Sequence, residues 1–419
     1  MTDEVRSPFR FRYALILFLL MWGMLEGALL GLLAVGRSRD LWDYRPISTR
    51  SLNSTQRDLL QRMLSGEGYI RLDADLGWTT AAGGSSKDGL YHVNAQELRG
   101  ERLYSREVPP GKIRLTTYGD SFTFGAFVRD GETWQAQLEA AEPGVEALNL
   151  GVNGYGPDQA YLRYGKTVDQ FDANVVVIGY MSENISRLVN RFRPFYNPFE
   201  ELILSKPRFE LGEGDALTLN ENPLRTPDDY RKLLRDPGEV LSALAEHDYW
   251  AQVRNRSSIV DILPSVKVAK ILLYHVRHRT GPDYIFERNG TYRVASPAYR
   301  ILVAVMERFY RAVEGRKQLP IVLIYPRPED GASVPGYAPL LSFLSSRGMR
   351  YVDVLPELIK EVGSSHLIDL YFDGHLNARG NGIVARVMAK RLRELGLVES
   401  AAATPPTSPS SRRTPPLAD

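Results

Sequence analysis

The strongest hydrophobic pattern is a continuous run. From Tyr13 to Val35 the chain reads YALILFLLMWGMLEGALLGLLAV, interrupted by one acid, Glu26. That length suits the roughly 20 apolar residues an α-helix needs to cross a bilayer core. A cleaved signal peptide has a shorter apolar part, about 7–15 residues, followed by an A-x-A-like site, and the run fits that description poorly. The reading is a single-pass anchor over 13–35, with 1–12 as a cytoplasmic leader and the following domain exported, periplasmic or extracellular. Arginines weigh little in the orientation, since Arg6, Arg10 and Arg12 are matched by Arg37, Arg39 and Arg45. Gly23, Gly27 and Gly31 recur at four-residue steps on one helix face. That spacing allows close helix approach and makes a homodimer through this face a candidate, although glycine is common in such helices.

Beyond a connector (36–67), helical between about Ser54 and Leu64, the pattern changes to short apolar runs separated by turns. Ile113–Tyr118, Glu146–Leu150, Asn174–Ile178, Leu319–Tyr325 and Met349–Val354 read as strands. The third and fourth, NVVVI after its leading Asn174 and LPIVLIY, are continuous apolar runs, as strands buried on both faces of a parallel sheet are. Helical stretches from Thr133, from Gln159 and from near Arg379 alternate with them. This predicts an α/β fold, a parallel sheet with helices on both sides. Roughly 130 residues separate the third and fourth strands, far more than an ordinary connection. With helical patterns at Ser265–His278 and Ser296–Val313, segment 187–317 reads as a helical insertion between two parts of one domain, 68–186 and 318–398. The tail, 399–419, is rich in Pro, Ser, Thr and Ala and reads as disordered.

Composition narrows the chemistry. With 52 Lys+Arg against 50 Asp+Glu there is no broad basic field, which argues against nucleic acid as a partner. The absence of cysteine removes disulfides, thiolate metal sites and a cysteine nucleophile. Ser, His and carboxylates remain.

Gly119-Asp120-Ser121 stands at the carboxyl end of the first strand, where open α/β sheets place their binding crevices. The tripeptide alone equally describes a helix cap. Far along the chain, Tyr371-Phe-Asp-Gly-His-Leu-Asn377 sets a carboxylate and an imidazole two residues apart just before a helix. One group can orient the ring while its other nitrogen faces a nucleophile. His275 and His278, spaced i,i+3, have no third ligand near them, so no metal site is expected. Arg191-Phe-Arg-Pro-Phe-Tyr196 mixes basic and aromatic side chains just past the third strand. Arg191 and Arg193 are candidates for contacting a glycan or an anionic group.

Three segments together resemble the SGNH (GDSL-type) hydrolases. Tyr118-Gly-Asp-Ser-Phe-Thr-Phe-Gly125 resembles the first signature block, Asn149-Leu-Gly-Val-Asn-Gly-Tyr-Gly156 the second and Asp373-Gly-His-Leu-Asn377 the last, in the family's order. The resemblance implies a flavodoxin-like three-layer fold, Ser121 as nucleophile, His375 as base and Asp373 as its partner. It also implies an oxyanion hole from the N–H groups of Ser121 and Gly154, with no cofactor. Two departures stand out. Phe372 occupies the place three before the histidine where relatives often carry Asp, and the resulting D-x-H spacing resembles the alginate O-acetyltransferase branch. The third block, Gly179-Tyr-Met-Ser-Glu-Asn184, has Glu183 where many relatives have Asn. An ionised carboxylate cannot donate to an oxyanion, so Asn184 is the expected donor. The expectation is an esterase acting on acyl esters of cell-surface glycans, with O-acyl transfer to a polysaccharide hydroxyl or a catalytically silent glycan-binding protein as alternatives.

Overall fold

The five expected strands join in one sheet. They are β1 (Ile113–Tyr118), β2 (Val145–Asn149), β3 (Val175–Met181), β4 (Leu319–Tyr325) and β5 (Tyr351–Asp353). All neighbours are parallel and the order is β2-β1-β3-β4-β5. The computed structural model describes residues 8–39, 46–199, 201–280 and 284–399. Arg6, Arg45 and the tail from residue 400 onward lie outside them, as does the side chain of His278.

Helix α1 (Pro8–Ser38) contains the apolar run and is long and apolar enough to cross a membrane. Helices α2 (Trp134–Ala141) and α3 (Pro157–Thr167) take opposite faces of the sheet. Thr133 caps α2 through its side-chain oxygen, and Pro157 opens α3, where its missing N–H costs nothing. Successive strand residues point to opposite faces. Thr117 Oγ1 accepts from Gln135 Nε2 on α2 at 3.0 Å, whereas the Tyr118 hydroxyl meets Thr167 Oγ1 on α3 at 3.0 Å. Helix α4 (Pro264–Thr280) packs beside α1, α5 (Pro297–Glu314) joins the α3 face and α6 (Ala378–Glu394) joins the α2 face. The fold is therefore the expected flavodoxin-like α/β sandwich of three layers, with β3 and β4 almost wholly buried.

The insertion differs from its expected extent and content. Ile301, Leu302, Val305, Phe309 and Val313 form the buried stripe of α5, and Phe309 meets Tyr164 of α3 edge-on at 6.0 Å. A stripe of that width belongs against a sheet, so α5 is a layer helix of the core domain. What precedes it is mixed, since Arg208–Leu211 and Leu217–Asn220 form an antiparallel pair. The insertion is tied to α3 by a wholly buried ion pair between Lys206 and Asp158, and burial pushes the Lys206 ammonium down from its ordinary value.

Candidate active site

The sheet order reverses direction beside β1, and the crevice at the carboxyl ends of β1 and β3 is where such sheets bind ligands. Chain geometry there is set by a tight turn. Asp120 accepts the Phe122 N–H at 3.0 Å, capping the four-residue helix Ser121–Phe124, and Gly125 ends it at φ +80°. The second block lies directly against this turn, because a Cβ on Gly151 would fall 2.3 Å from the Phe124 nitrogen. Only glycine permits that approach.

The segment carrying His375 is a minimal hairpin, β6 (Tyr371–Phe372) paired with β7 (His375–Leu376). Its two turn residues, Asp373 and Gly374, both have positive φ, +46° and +75°. Asp-Gly suits a two-residue turn of that kind. Asn377 then caps α6 by accepting the Gly380 N–H at 3.0 Å. The hairpin sets His375 Nε2 2.8 Å from Ser121 Oγ. The ring lies between Phe122 and Phe127, with centroids 5.1 and 5.2 Å away. Phe127 also meets the exposed Phe372 at 5.8 Å, so the rim beside the histidine is apolar.

Three sequence expectations are placed differently. His375 Nδ1 lies 3.0 Å from the main-chain oxygen of Asp373, not from its carboxylate, and the Asp373 side chain is exposed. The left-handed turn conformation directs the carbonyl at the ring and leaves the carboxylate outside. Asn184 is buried, but its Nδ2 donates to Asp120 Oδ2 at 2.9 Å. Arg187 joins the same carboxylate at 3.5 Å and also donates to the Tyr155 oxygen at 2.9 Å. Asn184 and Arg187 thus clamp the first, second and third blocks together around Asp120. Glu183 pairs with Arg187 at 3.4 Å. Sequence reading missed Arg187, whose only signal is its i,i+4 spacing from Glu183.

The basic-aromatic segment is the third difference. Phe192, Phe195 and Arg193 are buried, and the Arg193 guanidinium sits over the Tyr196 ring at 5.4 Å. Arg191 donates to the Glu221 carbonyl and lines a cleft of about 480 Å³ with Leu224, Lys232 and His247 that includes neither Ser121 nor His375. These side chains pack the insertion, because the short turn Arg193–Tyr196 is drawn under Trp250, whose ring lies 5.2 Å from Tyr196. Gly154 is held at φ +82° in a turn whose Asn153 carbonyl accepts from Trp78 Nε1 at 2.9 Å, and a Cβ on it would stand 3.9 Å from Arg193 Nε. Among the described residues no group accepts the N–H of Ser121 or of Gly154.

Parallel sheet order, block order and the placing of serine and histidine at the switch point agree. The chain has the fold of the SGNH hydrolases. Solved structures similar to it include a lipolytic protein of the G-D-S-L family from Desulfitobacterium hafniense, at 10% identity and TM-score 0.33, covering 67% of this chain and 99% of that one. A G-D-S-L family lipolytic protein from Veillonella parvula is similar at 12% identity and TM-score 0.32, covering 68% and 97%. An acetyl xylan esterase from Geobacillus stearothermophilus is similar at 14% identity and TM-score 0.34, covering 70% and 99%. At that distance the likenesses assign neither activity nor substrate. No family model and no curated protein matches the chain.

Proposed function

We propose that this protein is a membrane-anchored serine esterase of SGNH type, with Ser121 as nucleophile and His375 as general base, acting on O-acyl groups of glycans outside the cytoplasm. The observation that carries the reading is the 2.8 Å approach of Ser121 Oγ to His375 Nε2. An Nδ1–H donated to the Asp373 carbonyl leaves Nε2 unprotonated, so the serine hydroxyl donates to it. Ser121 Oγ attacks the ester carbon as its proton passes to Nε2, and the N–H groups of Ser121 and Gly154 receive the oxyanion. His375 then protonates the leaving alcohol. Water, activated by the same ring, releases the acid from the acyl-serine. Asn184 and Arg187 act by fixing Asp120 and hence the pitch of the nucleophile's turn.

Hydrolysis of aryl esters of short and long acyl chains by the full chain in detergent tests this reading. Turnover of the acetyl ester is expected, and no turnover of any ester above that of Ser121→Ala would refute it. A sugar acceptor that diverts the acyl group from water would move the reading to transfer.

The main-chain orienter has its own consequence. Asp373→Asn keeps the carbonyl and tolerates the positive φ. It is therefore expected to retain kcat within about tenfold, whereas loss of a carboxylate that orients the ring costs about 10⁴-fold. A pH–rate profile of the variant checks this, and a collapse of kcat would return the role to the carboxylate.

A further inference from the structure

The contact between α1 and the rest of the chain is polar at one point. Glu26 accepts the Ser265 N–H at 2.9 Å and also the Ser265 hydroxyl, at the first turn of α4. Along α1 the side turned to α4 carries Glu26, Leu29 and Leu33, each partly buried, and Gly36, which is buried. The rest of the apolar run is exposed.

This contact fixes a depth. Glu26 precedes Val35, the last residue of the apolar run, by 35 − 26 = 9 residues, which is about 14 Å along the axis at 1.5 Å per residue. A hydrocarbon core is about 30 Å thick. If α1 spans the membrane, Ser265 and the turn before it lie well inside the core rather than above it. The side chains there suit that position. Ile259 is 93% exposed and Ile262 81%, extremes for isoleucine, and α4 adds Leu272 and Val276 at 61% and 59%. One charge pair is neutralised within the segment, since Lys270 Nζ bonds Asp261, the Ser258 hydroxyl and the Arg256 carbonyl, and Lys267 is the further charge it carries. A carboxylate inside a membrane is costly unless it is bonded, which gives Glu26 a reason to take Ser265 as its partner.

We infer that Ile259–Val276 is a second membrane-embedded element, dipping into the hydrocarbon beside α1, so that the catalytic domain rests on the bilayer in one orientation instead of hanging from a tether. The inference rests on reading α1 as a span. The partner is lipid, and the site of contact is the face made by Ile259, Ile262, Leu272 and Val276. A domain held this way keeps its crevice at one height and favours esters presented at the membrane surface.

The chain has no cysteine, so single reporters are straightforward to introduce. Leu20→Cys on α1, Ile259→Cys and Ile262→Cys on the turn, and Leu103→Cys on an exposed surface loop would each carry a small fluorophore. Each full chain is reconstituted into phosphatidylcholine–phosphatidylglycerol vesicles containing lipid with a mid-chain nitroxide. All four positions are exposed, so the substitutions leave the fold intact. Quenching at positions 20, 259 and 262 but not at 103 is the expected result. Quenching at 20 alone overturns the inference while the span stands. No quenching at 20 overturns the span and the inference with it. Protection of positions 259 and 262 from lipid, with crosslinking to another protein in native membranes, would also overturn it by assigning the face to a protein partner.

Discussion

Ser121→Ala is expected to lower kcat/KM on an aryl acetate by about 10³-fold or more while leaving thermal unfolding nearly unchanged. The hydroxyl is used as a nucleophile, and its recorded side-chain partner is the histidine that activates it. The backbone of the turn depends on other atoms, since Gly125 and Ala126 both donate to the Ser121 carbonyl, which the substitution keeps. Steady-state kinetics and a melting curve on the same preparation separate the two effects. A variant that loses activity only together with its fold would point to a structural serine.

The second large effect falls on Asp120. Its carboxylate caps the nucleophile's helix and accepts from both Asn184 and Arg187, and its side chain is inaccessible to solvent. Asp120→Ala would leave the Arg187 guanidinium facing an apolar methyl group. Arg187 keeps Glu183 and the Tyr155 carbonyl, but the Phe122 N–H and Asn184 Nδ2 lose their buried acceptor, at about 1–3 kcal/mol for each group left unsatisfied. Denaturant unfolding is expected to show a loss of that size, along with failure of ester turnover as the serine's turn loosens. Asp120→Asn, which keeps an acceptor for the Phe122 N–H, should lose less. Equal stability of all three proteins would mean that the clamp does not hold the blocks together.

The sheet was legible because its strands obey two strong rules, apolar runs for β3 and β4 and turn glycines, Gly119 and Gly151, just past β1 and β2, although β3 runs on through Gly179 to Met181. Ser121 and His375 were legible because each lies in a block whose residues constrain its neighbours, a glycine-bounded turn and an Asp-Gly hairpin. Their proximity, 254 residues apart in sequence, was not legible from spacing and came through the resemblance. The missed details depend on tertiary context. Nothing local says whether Asp373 offers its carboxylate or its carbonyl, since that follows from a φ of +46° in a two-residue turn. Arg191 and Arg193 looked like surface groups because charge usually is, yet Arg193 is buried beneath the insertion's aromatics. The extent of the insertion was misjudged because α5 carries an amphipathic stripe whose partner, the α3 face of the sheet, lies far away in sequence.

The central claim is that Ser121 is an activated nucleophile. Labelling of the full chain by a fluorophosphonate, followed by peptide mass spectrometry, tests it directly, because phosphonylation of a serine hydroxyl at neutral pH requires a base beside it. One adduct on Ser121, lost in His375→Ala, is the predicted result. A folded protein that takes up no label, or takes it up equally without His375, would contradict the account.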